Sequence, residues 1–477
     1  MSQRNLAWLI VVPSLVLFTA FMVAKTPPPE PQYKMVRTVV DVLGEVEQHF
    51  YRELTPKEKQ KLVEDMINGG LQRLDPYSEY FNEEKLKQFT ADTQGQFGGI
   101  GAYIGIDART GVLQIDSPMP DSPALNAGLQ SGDFIIKING KSTEAMLTDE
   151  ARSLIKGEPG SKVTLTLRRR GREADFDVEL TRAVIIVHPV KGYKRKPEDP
   201  KTWDYMVDPD GKIALIRLVE FSKNAAKEVQ AALKDAEAAG ARAVILDLRG
   251  NPGGLLDIAA EISDLFLAEG AIVRTQGRNN PDRNLKAKKD GSVWEATEKI
   301  PMAVLVNRAS ASAAEIVAAA LQDHKRAVVV GERSYGKGSV QKSFEANDGK
   351  SALKLTTELW LTPNGKNIHR WPDSKEDGEW GVRPDAGFEV NVSEDEFIQY
   401  ILHLRDADLL KPKDPLPPQP ASSKDEAKKE KDGKGRPELP PLDPNFKDKV
   451  LEKALEHLRL KIKSIGRAPL LEGGKPA

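Results

Sequence analysis

The sequence predicts an α/β chain of several domains, and three observations carry that reading. Apolar strands alternate with amphipathic helices from Lys212 onward, short glycine-separated alternating strands precede them from about Phe97, and the first hundred residues carry helical periodicity. At 477 residues the chain is long enough for two or three cores, and 39% hydrophobic content fits globular structure. Its 70 basic and 71 acidic residues cancel to a net charge of −1, so no overall field draws it to nucleic acid, and none is expected as a partner. The absence of cysteine excludes disulfides, thiolate metal sites and cysteine catalysis. No histidine pair or carboxylate cluster has metal-ligand spacing, so neither a metal nor a cofactor is expected.

Taken in order, the first feature is Leu6 to Ala24, 19 residues without a charge, roughly 28 Å as a helix and close to bilayer thickness. A cleaved leader would have a shorter apolar region and a small-x-small end, which Met22-Val23-Ala24 fits poorly, so an uncleaved single-span anchor is expected over residues 1–34 with its spacer. Arg4 on one side faces Lys25, Lys34 and Arg37 on the other, which sets no orientation. Residues 35–93 read as a helical segment, with Val39, Val42, Leu43, Val46 and Phe50, then Leu62, Met66, Leu71 and Leu74, on helical faces. Residues 94–183 form a β-rich module, in which Val163, Leu165, Leu167 and Phe176, Val178, Leu180 alternate about the Arg170-Gly171 turn as a hairpin. Residues 184–410 hold the α/β domain, with strands at Ile213 to Leu218, Ala243 to Leu248 and Met302 to Val306 joined by right-handed crossovers. Residues 411–445 are a proline- and charge-rich linker, and 446–477 a last helix with Val450, Leu451, Leu455, Leu458, Leu460 and Ile462 on its apolar face.

Three loops could carry chemistry. Asn307-Arg308-Ala309-Ser310-Ala311-Ser312-Ala313-Ala314-Glu315 lies between a strand and a helix, where a serine sits beside free amides able to stabilise an oxyanion. By itself such a serine is a helix N-cap. Gly331-Glu332-Arg333-Ser334-Tyr335-Gly336-Lys337-Gly338-Ser339-Val340-Gln341 brackets a lysine with glycines that permit close backbone approach, and by itself that lysine is a solvated loop residue. The segment nearly spells a phosphate-binding loop, but Gly338 replaces the magnesium-binding Ser or Thr, and the residues after it look extended instead of helical. Asp247-Leu248-Arg249-Gly250-Asn251-Pro252-Gly253-Gly254 exposes glycine amides at a helix start, or is a tight turn braced by Asp247 and Arg249.

Together these loops resemble the carboxyl-terminal processing peptidases, over most of the chain from Leu74-Asp75-Pro76-Tyr77-Ser78 to Gly381-Val382-Arg383-Pro384-Asp385. The resemblance implies a superhelical, crotonase-like ββα core and a serine endopeptidase. Ser312 matches the family's nucleophile, Lys337 its general base and Gln341 the glutamine that orients the base, while the Gly253 or Gly254 amide acts with that of Ala313 as the oxyanion hole. The β module resembles a PDZ domain. Phe97, Gly98, Gly99, Ile100 and Gly101 match its carboxylate-binding loop, and Ala102 to Ile106 is a strand an incoming peptide could pair with. Implied partners are proteins or peptides with apolar C-terminal tails. The resemblance also implies an extracytoplasmic peptidase domain held by the anchor, and a homo-oligomer is compatible with the chain. Ala314 departs from the motif's last serine, Arg308-Ala309 from an acidic residue and glycine, and Trp360-Leu361 from tyrosines, which bears on the substrate pocket and leaves the dyad intact.

The chemistry makes demands of its own. A lysine base must be neutral, so its pKa has to fall from about 10.4 toward about 7–8, which calls for a dry pocket. Gln341 lies roughly 13 Å from Lys337 along a straight strand, so a bend at Gly338 is expected. His324 and His369 are the alternative bases, His324 being expected beyond the end of the serine helix as a cap. Rival readings are a catalytically silent scaffold binding C-terminal tails of envelope proteins, which would need none of Ser312, Lys337 and Gln341, and an acyl-CoA enzyme, which would need no peptide-binding module.

Overall fold

The structure is a computed structural model that describes residues 30–107, 110–144, 146–288, 300–346, 349–410 and 440–465, with main chain only at 30–33. The apolar run 6–24 and most of the linker lie outside these residues, and among the described ones no helix is long and apolar enough to cross a membrane.

The chain divides into two compact units, Met1–Pro76 and Tyr77–Ala477. In the first, helices α1 (Glu30–His49) and α2 (Pro56–Leu71) follow the expected periodicity. Thr55 and Glu58 cap the start of α2 reciprocally, with Pro56 at its first position. The apolar faces are only partly covered: Val39, Val42, Phe50, Met66 and Leu74 are exposed, while Leu43, Val46, Leu62 and Leu71 are partly buried. The helical segment expected over 35–93 therefore breaks at Pro76, and its third helix, α3 (Glu83–Gln94), belongs to the second unit.

The second unit opens with β1 (Glu79–Phe81), α3 and β2 (Gln96–Gly99). A module comes next, built of β3 (Ala102–Ile106), β4 (Leu113–Pro118), α4 (Pro123–Asn126), β5 (Phe134–Ile138), β6 (Lys141–Ser142), α5 (Thr148–Ile155), β7 (Lys162–Arg168) and β8 (Phe176–Thr181). Its sheet runs β3-β4-β5-β7-β8, so β3 is an edge strand, and β7 and β8 pair Val163 with Leu180, Leu165 with Val178 and Leu167 with Phe176, the hairpin the alternation predicts. The chain leaves through β9 (Ala183–Ile186), which pairs antiparallel with β2. Entry and exit strands thus form a two-stranded neck, as an insertion requires.

The remainder holds β10 (Val190–Lys191), β11 (Lys194–Arg195), β12 (Trp203–Asp204), β13 (Met206–Asp208), β14 (Ile213–Leu218), α6 (Ala225–Ala238), β15 (Ala243–Asp247), α7 (Leu256–Asp264), β16 (Ala271–Gly277) and β17 (Asn280–Lys286). Next come β18 (Met302–Val306), α8 (Ala313–Asp323), β19 (Val328–Gly331), β20 (Ser339–Glu345), β21 (Ala352–Leu361), α9 (Glu394–Asp408) and α10 (Lys449–Ile465). Strands β14, β15, β18 and β19 are neighbours and all parallel. Every residue of β14, β15 and β18 is buried, because helices cover both faces. Helices α6, α7 and α8 close one face through Val229, Ile258, Ile262 and Val317, and α10 closes the other through Val450, Ala454, Leu455, Leu458 and Ile462. Leu460, expected on that apolar face, is 64% exposed, and Ala454 takes its place. The end of α9 ties the module to this sheet: Arg405 pairs with Asp116 of β4, the Leu410 amide donates to Ser117 Oγ at 3.0 Å, and Asp408 pairs with Lys191 and Arg217.

Candidate active site

Parallel neighbours end on the same edge of a sheet, which is where α/β proteins place their sites. Three loops leave that edge: 248–254 after β15, 307–312 after β18 and 332–338 after β19. Buried polar side chains join the first two. The Asn307 side-chain oxygen accepts from the Gly250 amide at 2.9 Å, Ser310 Oγ donates to the Leu248 carbonyl at 2.8 Å, and the Ala311 amide donates to the Asn251 carbonyl at 2.9 Å. Below them, Arg249 forks onto Asp247, reaches Asp448 at the head of α10, and lies 4.2 Å from the Tyr400 ring centroid. It braces the loop.

Ser312 is the N-cap of α8 and holds φ +56°, a conformation that a residue with a Cβ rarely adopts. The hydroxyl-bearing residue is therefore turned out of the helical path just before Ala313, whose amide, as the first in the helix, has no intrahelical acceptor. The glycine turn lies directly against it, since a Cβ at Gly253 (φ +103°) would stand 2.7 Å from Ser312 Cβ and 3.0 Å from the Ala313 nitrogen. The two glycines differ in their amides. That of Gly253 donates to Asn251 Oδ1 at 2.8 Å. Gly254 instead bridges Phe221 through two bonds, Phe221 N–H to the Gly253 carbonyl and Leu255 N–H to the Phe221 carbonyl, neither of which uses the Gly254 amide.

The lysine loop is fastened to the serine loop by Glu315, at the third position of α8. Its side chain is fully buried and accepts four bonds: from Ser334 Oγ and the Gly336 amide on Oε1, each at 2.6 Å, and from the amides of Ser312 and Lys337 on Oε2, each at 2.8 Å. The nitrogens of Ser312 and Lys337 can be no further apart than twice that last distance. Burial pushes the Glu315 carboxyl above its ordinary range, and the bonds from Ser334, Lys337, Gly336 and Ser312 oppose that rise.

Lys337 is half-buried, less sealed than the dry pocket expected, with its ammonium 4.8 Å from the centroid of the Tyr77 ring. Close approach at the neighbouring glycines is real: a Cβ at Gly338 would lie 2.7 Å from the His369 nitrogen. β20 begins at Ser339, and its register against β21 shifts beside the glutamine: Val340 pairs with Glu358 and Gln341 with Thr356, so the extra residue, Thr357, lies in β21. The Gln341 amide nitrogen donates to Ser339 Oγ at 3.0 Å and Thr356 Oγ1 at 3.1 Å. His324 sits at the C-cap of α8, 11 helical residues from Ser312, with Nε2 2.7 Å from the Ala271 carbonyl. His369 accepts the Gly338 amide on Nδ1.

In the module, Phe97, Gly98 and Gly99 lie in the neck strand β2, and Ile100 and Gly101 form the connection to β3, a narrower loop than the five residues suggest. The Ile100 and Gly101 carbonyls are taken by the Ala124 and Met119 amides at 2.8 Å. Beside the open edge of β3 lies α5, and Ile100, Ile104, Ala151 and Ile155 share one core cluster.

Sequence reasoning assigned no role to Glu315, Asn251, Asn307, Ser310 or Ser334. A signal existed for the first, because Ser312-Ala313-Ala314-Glu315 is a capping-box pattern. The buried asparagines carry no periodic signal.

An edge-strand peptide module inserted ahead of an α/β core with a serine loop and a lysine loop on one sheet edge describes a peptidase. The model of peptidase family S41 matches residues 212–387, and that of the PDZ domain matches 114–169. A carboxy-terminal-processing protease of Bartonella bacilliformis is 36% identical over 391 residues, 79% of this chain and 82% of the relative. The carboxy-terminal processing protease CtpA of Bacillus subtilis is 40% identical over 312 residues, 65% of this chain and 62% of the relative. Among solved structures, a photosystem II D1 C-terminal processing protease aligns with TM-score 0.40 and 25% identity over 73% of this chain and 85% of that one. The chain belongs to peptidase family S41, among the carboxy-terminal processing proteases, and is a serine-type peptidase.

Proposed function

We propose that Ser312 is the nucleophile and Lys337 the general base of an endopeptidase that selects proteins by apolar C-terminal tails. The observation that carries this reading is the meeting of the Ser312 and Lys337 main chains on one carboxylate oxygen, beside the Gly253-Gly254 turn. Ser312 Oγ bonds to the scissile carbonyl carbon as its proton passes to Lys337 Nζ. The C–N bond then breaks, with that proton leaving on the amine, and water hydrolyses the acyl-enzyme with Lys337 again taking the proton. The oxyanion is received by the amides of Ala313 and Gly254, since the Gly253 amide is already committed to Asn251. Gln341 orients the lysine through its side-chain oxygen, its nitrogen being engaged. A bound substrate completes the shielding that half-buried Lys337 lacks, which favours the neutral amine.

The tail adds as a strand to the edge of β3, with its carboxylate toward Ile100 and Gly101. The apolar run 6–24 anchors the chain, with the peptidase on the extracytoplasmic side, a reading supported by the sequence and the family resemblance. The test incubates residues 35–477, intact and as Ser312→Ala, with an unstructured protein ending in apolar residues. Cleavage by the intact form alone is expected. Cleavage by both would overturn the nucleophile assignment, and cleavage by neither would favour the scaffold reading.

A further inference from the structure

We propose that Glu315 is a positioning residue for the peptidase reaction, a buried carboxylate that sets the spacing between the serine loop and the lysine loop. The proposal rests on the Ser312/Lys337 reading and adds a residue to it.

A carboxylate offers about four acceptor sites and no donor, and the four groups around Glu315 are all donors. Ser334 Oγ is fixed in that sense, because it accepts from the Val382 amide at 2.7 Å and so directs its own hydrogen to Glu315. Every site is filled. No cationic side chain is among the four, so the charge is held by main-chain and hydroxyl dipoles alone.

The four donors belong to two different loops. Ser312 sits before α8, while Ser334, Gly336 and Lys337 sit between β19 and β20. Among the described residues, the Tyr335 amide on the Ser310 carbonyl, at 3.0 Å, is the further main-chain bond between these loops. The segment carrying the lysine is also placed by bonds from outside the serine loop: the Arg370 amide donates to the Gly336 carbonyl, Trp360 Nε1 to the Lys337 carbonyl at 3.0 Å and the Trp360 amide to the Gly338 carbonyl. Glu315 is the side chain that bonds both the Ser312 and the Lys337 amides, and so ties the lysine directly to the serine. It also holds the Ser312 amide while that residue keeps φ +56°.

A carboxamide cannot replace it. It has one oxygen and brings two donors of its own, so at least one main-chain amide comes to face a donor: Gly336 on one side, or Ser312 and Lys337 on the other. Displacing a catalytic group by about 1 Å can cost on the order of 100-fold in rate. Glu315→Gln is thus expected to lower kcat by about that factor while KM stays within about threefold, because substrate is held by the module and the cleft.

The experiment measures kcat, KM and Tm for the parent chain, Glu315→Gln, Ser334→Ala and Ser334→Thr, with Ser312→Ala and Lys337→Ala alongside, on an unstructured protein substrate well below every Tm. Ser334→Ala removes one of four donors and is expected to lower kcat by about 3- to 10-fold at constant KM, with Ser334→Thr restoring it, which keeps the test open if Glu315→Gln does not fold. The proposal is overturned if folded Glu315→Gln keeps kcat within threefold, if Ser334→Ala leaves kcat unchanged, or if the losses appear in KM. Inactivity of Ser312→Ala and Lys337→Ala with an active Glu315→Gln would remove the positioning role alone. Activity in Ser312→Ala or Lys337→Ala would remove the dyad reading itself.

Discussion

The main-chain amides of Ser312 and Lys337 donate to the same atom, Oε2 of Glu315, at 2.8 Å each. Two residues on different loops are thereby held by one buried carboxylate. A buried carboxylate costs several kcal/mol of desolvation, and hydrogen bonds to a charged group return about 1.5–3 kcal/mol each, so the four bonds offset much of that cost while burial still leaves the carboxyl raised.

Ser312 holds φ +56°, and such strain costs about 1–3 kcal/mol. Ser312→Gly removes the Cβ that makes the conformation costly, at the expense of a more flexible unfolded chain. Turnover is expected to vanish while Tm stays level or rises by a few degrees. Calorimetry checks this, and a clear fall in Tm would count against strain at this position.

Gly253→Ala should do the reverse. Its Cβ would stand 2.7 Å from Ser312 Cβ and 2.8 Å from the Ala311 carbonyl, at φ +103°. Both neighbours belong to the loop that the Asn251 and Asn307 bonds hold still, so neither can retreat cheaply. A loss of about 1–3 kcal/mol in stability and of on the order of 100-fold in kcat is expected, read by denaturant unfolding and peptide turnover.

If the module selects tails, excising it should remove selection more than chemistry. The neck makes the excision clean: Gly99 and Ala183 are register partners, so residues 100–182 can be replaced by an Asn-Gly hairpin turn. Cleavage of substrates with apolar free C-termini should fall, with a much smaller change on a tail-less unstructured protein. Equal changes on both would argue against tail selection.

The core strands and the module's hairpin were legible because their signals are local. Fully buried strands read as apolar runs, continuous at Met302 to Val306 and broken only by Arg217 at Ile213 to Leu218, and the β7–β8 hairpin read from strict alternation. What stayed hidden depends on the third dimension. No periodicity tells that the Gly253 amide is spent on Asn251 while the Gly254 amide is not, nor that the register of β20 against β21 shifts beside Gln341. Leu460 fits a helical stripe by spacing, yet the face that α10 turns to the sheet carries Val450, Ala454, Leu455, Leu458 and Ile462, with Leu451 partly buried beside them.

An ion pair helps keep α10 on that sheet. Lys449 at its start pairs with Glu396 of α9, whose carboxyl is also capped by Ser393. The Lys449 hydrogen bond first, and the Ser393 amide second, pull the Glu396 carboxyl down to about 2. A carboxyl lowered on folding adds stability above its ordinary value and loses it as pH falls toward the folded value. Glu396→Gln should therefore lower Tm relative to the parent near neutral pH, and the difference should shrink below about 4.5 and close near about 2. Lys449 is 60% exposed, so solvent screening keeps the contribution of the pair under about 1 kcal/mol. The measurement is the parent-minus-variant difference across pH, since other carboxylates titrate in both proteins. A gap that persists unchanged at about pH 2 would assign the loss to packing instead of charge.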